Sequence, residues 1–111
     1  MRAEGTLIIG SGFMTHGMRS VTRDMVLHNR PPAWSSEFDA WVSEALARGD
    51  VDELAAWHDR APGMPFAHPT PDHFTPLFIT LGAADAADRT VRTTIDGFMM
   101  GFSRRSFQTL T

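Results

Sequence analysis

Thr6-Leu7-Ile8-Ile9 is an unbroken apolar and β-branched run that stops at Gly10-Ser11-Gly12, and this pattern predicts a buried strand ending in a sharp glycine turn. Thr15 and His16 follow at the strand's carboxyl end, the side on which open α/β sheets bind ligands. Adjacent prolines make Asn29-Arg30-Pro31-Pro32 a loop. Beyond it, Phe38, Trp41, Val42, Ala45 and Leu46 recur at helical spacing, which predicts an amphipathic helix entered at Ser35 or Ser36 and stopped by Gly49. Asp50 with Glu53 resembles a capping box and starts a second short helix carrying Leu54 and Trp57. The two helices are expected to form a hairpin packed on a sheet.

Residues 61–71 hold four of the seven prolines and form a rigid connection that delivers His68 and His73 to fixed places. Thr70 and Pro71 read as an N-cap and first helical position, with Asp72 near the positive helix end. Phe74, Leu77, Phe78 and Leu81 supply that helix's apolar stripe, Pro76 is expected to bend it early, and Gly82 begins its exit. Val91, Thr93 and Ile95 alternate before Asp96-Gly97, a two-residue hairpin signal, with residues 98–107 as the return strand. The order of elements is strand, helices, terminal β-hairpin, an α/β arrangement.

At 111 residues the chain is one domain at most, residues 1–111. Its 42% hydrophobic and 21% charged residues exclude a disordered or collagen-like chain. A net charge of -3 gives no electrostatic reason to expect a nucleic-acid or anionic-membrane partner. Apolar runs such as residues 77–81 are far shorter than the roughly 20 residues that span a bilayer, and no signal-peptide pattern opens the chain, so a cytoplasmic setting is the default. Without cysteine there is no disulfide, thiolate ligand or cysteine nucleophile, and any metal must use histidine, carboxylate or water.

Five histidines in such a chain raise a metal hypothesis, although no short ligand signature such as His-Glu-x-x-His occurs. His16, after a strand and a glycine turn, is placed to be a ligand or a general acid/base, or else to hydrogen-bond the turn. His73 either reaches a pocket or is satisfied by a backbone carbonyl. His68, before Pro69, either lines the pocket or fixes its loop. His28 and His58 are expected to face solvent. Gly10-Ser11-Gly12 lacks the further glycines and the lysine of nucleotide-binding loops, and it is not the five-residue nucleophile elbow.

Gly10-Ser11-Gly12-x-x-Thr15-His16, then His68-Pro69-Thr70-Pro71-Asp72-His73-Phe74-x-Pro76-Leu77 and Leu81-Gly82-Ala83, then Asp96-Gly97 and Met100-Gly101-x-Ser103-x-x-Ser106, together resemble the DOPA-type extradiol dioxygenases of the class III ring-cleaving superfamily. The resemblance covers nearly the whole chain in the right order and implies the carboxyl-terminal part of a single-domain α/β fold. It further implies one non-haem metal ion, Fe(II) in catalysis or zinc in preparations, and a catechol-type, DOPA-like diol cleaved with dioxygen. On the family pattern His73 is a metal ligand and His16 a ligand or acid/base, with Thr15 and His68 as candidates for touching substrate. Gly17 stands where the family commonly has Asn. The amino-terminal half, which brings two further histidine ligands in the family, is not in this sequence. Rival readings are a catalytically inactive fragment, or a structural module that binds the missing half or forms a homo-oligomer through faces that half would cover.

Overall fold

A computed structural model of the chain describes residues 4–84 and 90–109. Helix α1 (Arg23–His28) starts at Thr22, whose hydroxyl accepts from the Met25 amide, and ends at Asn29 in the left-handed conformation. Helix α2 (Ala33–Arg48) begins two residues before the expected serines. Pro32 has the extended backbone of a cap (ψ 161°), and its carbonyl accepts from the Ser35 and Ser36 amides. Gly49 closes α2 at φ 65°, as its position after the last apolar residue predicts. Asp50 caps α3 (Val51–Ala55) through the Glu53 amide, and α4 (Trp57–Arg60) follows.

Helix α5 (Thr75–Ala83) differs from expectation at its start. Residues 71–74 form a turn, and Pro76, not Pro71, occupies the first helical turn. There its missing N–H has no intrahelical partner to lose, so the helix starts at proline instead of bending at it. The core lies where α2, α3, α5 and the 61–74 connection meet: Phe38, Val42, Ala45, Leu46, Leu54, Phe74, Leu77 and Leu81 are all buried.

The carboxyl-terminal strands nest. Strand β1 (Val91–Ile95) pairs antiparallel with β4 (Ser106–Thr109) with an irregularity between Thr93 and Ile95, while β2 (Phe98–Met99) and β3 (Phe102–Ser103) form a small hairpin between them. The two-residue turn is Met100-Gly101, both at positive φ, rather than Asp96-Gly97. Most of β1 faces solvent, and it is β3 that is buried and lies against α2.

The predicted first strand is the chief departure. Residues 6–10 have no strand partner among the described residues, and Leu7 and Ile9 are 81% and 77% exposed. Composition sets the apolar run, but strand formation needs a paired edge, and among the described residues no strand is paired with this segment. Among the described residues no helix is long and apolar enough to cross a membrane.

Candidate functional site

Three hydrogen bonds tie residues 13–16 to the 67–73 connection. The Phe13 amide donates to the His73 carbonyl (2.8 Å), the His16 amide donates to the Ala67 carbonyl (2.8 Å), and the His68 ring Nε2–H donates to the Met14 carbonyl (2.7 Å). Close approach of the two backbones needs glycine: a Cβ on Gly12 would collide with the His73 carbonyl, and one on Gly17 with the Phe66 carbonyl and the Trp34 ring. Gly17 is therefore fixed by Trp34, and an Asn there has no room.

This clamp brings His16 and His73 together. Their rings stack with centroids 3.8 Å apart and planes 28° apart, flanked by Phe13 at 4.7 Å from His16 and 5.9 Å from His73. Both are half-buried. Burial lowers the His16 pKa, and the charge His73 would carry lowers it further. A neutral imidazole results, with a lone pair free to bind a metal or take a proton. Exposed Asp72 lies 3.9 Å from His73 Nε2, and its own carboxyl is held low first by a bond from Thr70.

Thr15 and His68 lie behind this pair, not in front of it. Thr15 is fully buried; its hydroxyl shares a bond with Ser35 (3.0 Å) and accepts from the Ser103 amide (2.8 Å). His68 is 2% exposed, ringed by Phe38, Trp57 and Phe74 at 4.9–5.9 Å, and burial pushes its pKa down to about 4. Both side chains are buried and bonded within the chain, Thr15 to Ser35 and Ser103 and His68 to the Met14 carbonyl, and these bonds hold the 13–16 turn.

The residues that composition and spacing did not single out are Asp39 and Arg105, and Ser35 stands out only as a helix start. Asp39 accepts from the Ser103 hydroxyl (2.5 Å) and takes both arms of Arg105 (2.8 and 2.9 Å), anchoring β3 and β4 to α2 directly beneath Thr15. A signal was present: Asp39 falls on the buried face of α2 next to Phe38 and Val42, where an acidic residue needs a partner.

Two imidazoles fit part of a first-row divalent site, which takes at least three protein ligands when held tightly. Among the described residues no third histidine, cysteine or carboxylate joins them in a group able to hold a metal ion. The donor set here fits a share of a centre, not a whole one.

Residues 2–100 match the family described as the catalytic LigB subunit of aromatic ring-opening dioxygenase. The chain is similar to proteins named 4,5-DOPA dioxygenase extradiol from Beta vulgaris (32% identical, across 96% of this chain and 40% of that protein) and Portulaca grandiflora (30%, across 99% and 41%). A third, from Escherichia coli strain K12, is 30% identical across 91% of this chain and 37% of its own length. The chain thus spans about 40% of the length of the curated relatives it matches. A family match over residues 2–100, nearly all of the chain, shows that the chain belongs to the LigB family of aromatic ring-opening dioxygenases.

Proposed function

We propose that His16 and His73 are this chain's share of the active centre of a metal-dependent extradiol dioxygenase, one that opens a catechol-type, DOPA-like ring with dioxygen. The stacked pair carries the reading, because it brings two half-buried imidazoles from separate segments side by side, as two ligands or a ligand and an acid/base at one centre require. The relatives' names support the reaction class, and residues 1–111 act as one part of the family domain. A divalent ion, Fe(II) by the family resemblance, supplies Lewis acidity and a common meeting point for diol and dioxygen. His73, whose side chain is 42% exposed, is the ligand. His16, held neutral by burial and by its neighbour, accepts and returns the proton of the diol hydroxyl. Phe13 beside both rings offers an aromatic face to the substrate ring.

Anaerobic Co(II) titration followed through histidine ring resonances tests the pairing. His16 and His73 are expected to shift together and ahead of His28 and His58, and His73→Ala is expected to abolish the His16 response. Equal response of all exposed histidines would overturn the assignment.

A further inference from the structure

We infer that Phe102, braced by Trp34, is a positioning residue for His16: its ring backs the His16 imidazole from inside the fold and sets the direction in which that imidazole faces the site. This rests on the proposed function in taking His16 as a group whose direction matters.

The backbone and the ring of His16 are held by different means. Its amide is tied to the Ala67 carbonyl, which fixes the chain but leaves the side-chain torsions open. Its ring is set by other rings: His73 at 3.8 Å, Phe13 at 4.7 Å and Phe102 at 6.4 Å, the last with planes 24° apart. The Phe102 separation lies within the roughly 4.5–7 Å over which offset rings attract. These neighbours are not alike. Phe13 is 47% exposed and touches both imidazoles. Phe102 is 8% exposed and, among the described residues, meets the ring of His16 but not that of His73. A change at Phe102 therefore acts on one imidazole of the pair, and a change at Phe13 acts on both.

Phe102 itself is placed with little freedom. On one side of it the Gly101 amide donates to the Asn29 side chain (2.9 Å). On the other the Ser103 amide donates to the Thr15 hydroxyl (2.8 Å), which ties the neighbour of Phe102 to the neighbour of His16. The Phe102 ring meets Trp34 at 6.2 Å. Trp34 is wedged in turn, its ring against the bare α-carbon of Gly17 and its backbone against that of Gly63, at both of which a Cβ would collide with it. Gly17 follows His16 in the chain, so the brace begins and ends at the same turn. Packed support of this kind holds a reacting group within the narrow tolerance that proton transfer needs.

Nuclear Overhauser contacts between ring protons of the metal-free 111-residue chain test the placement. In the parent, His16 should show contacts to both His73 and Phe102. In Phe102→Leu the contact between His16 and His73 should be lost while that between His73 and Phe13 stays, and Phe102→Tyr, which keeps a ring, should recover it. Phe13→Leu should instead move the ring resonances of both histidines. Should circular dichroism show that Phe102→Leu does not fold, Trp34→Leu removes the brace at a half-buried position and should weaken the same contact. In an iron-loaded family domain that contains these residues, Phe102→Leu should lower kcat by on the order of 100-fold, as for a displacement of about 1 Å, and leave KM for a catechol unchanged. A folded Phe102→Leu or Trp34→Leu that keeps the full contact between His16 and His73 would overturn the inference, as would a raised KM with unchanged kcat. Loss of the contact in Phe102→Leu together with a parental rate in His16→Gln would instead fail the functional reading alone.

Discussion

Replacing Asp39 with alanine is expected to lower unfolding stability by about 3–5 kcal/mol, because it leaves the charge of Arg105 partly buried and unpaired. Both side chains are nearly buried, 10% exposed for Asp39 and 13% for Arg105, and three hydrogen bonds converge on the carboxylate. A loss of that size is a large share of the roughly 5–15 kcal/mol by which domains are stable. The effect reaches the site as well. Ser103, oriented by Asp39, donates its amide to Thr15, so the variant also loosens the turn that carries His16. Urea unfolding measures the first effect, and the His16 ring resonances report the second. A loss below about 1 kcal/mol, the value of an exposed ion pair, would show that the pair is solvated instead of anchoring.

Acidification is expected to destabilise the chain before its carboxylates titrate. His68 has a folded pKa lowered from 6.5 to about 4 by burial among aromatic rings, so the unfolded chain takes up its proton first. The sign follows directly: the stability from keeping this ring neutral is fully present above pH 6.5 and is lost as pH falls toward 4. Across that window the loss comes to about 3 kcal/mol at 1.36 kcal/mol per pH unit. His16, also lowered, adds to the loss in the same direction. Urea midpoints from pH 7 to pH 4.5 should fall steeply in the parent and much less in His68→Gln, whose amide can still donate to the Met14 carbonyl. Equal slopes in the two proteins would contradict the buried-neutral account.

Local chemistry made much of the helical layer legible. The apolar spacing of Phe38, Val42 and Leu46 and the stop at Gly49 are properties of neighbouring residues, and the structure keeps them. Pairing partners are not local. The run from Thr6 to Ile9 reads as a strand but has no strand partner among the described residues, and Asp96-Gly97 yields its turn to Met100-Gly101 because β1 pairs with the distant β4. The site shows the same division. His16 and His73 are each conspicuous in sequence, while their stacking depends on Phe13 and Ala67 holding two separate segments together. Burial of His68 depends on rings from α2, α4 and the turn before α5, which no feature around Pro69 announces.

The proposed centre requires His16 and His73 to act as one unit in ring opening. The direct measurement is the rate of ring-cleavage product formation from a catechol and dioxygen in an iron-loaded family domain that contains these residues, comparing the parent with His16→Gln, His73→Ala and the double variant. Groups that act as a unit are strongly non-additive. Each single change is expected to lower the rate by at least about 100-fold, the lower bound for losing a positioned acid/base, and the double variant to be little worse than either. Near-parental rates in either single variant, or losses that multiply in the double variant, would contradict it.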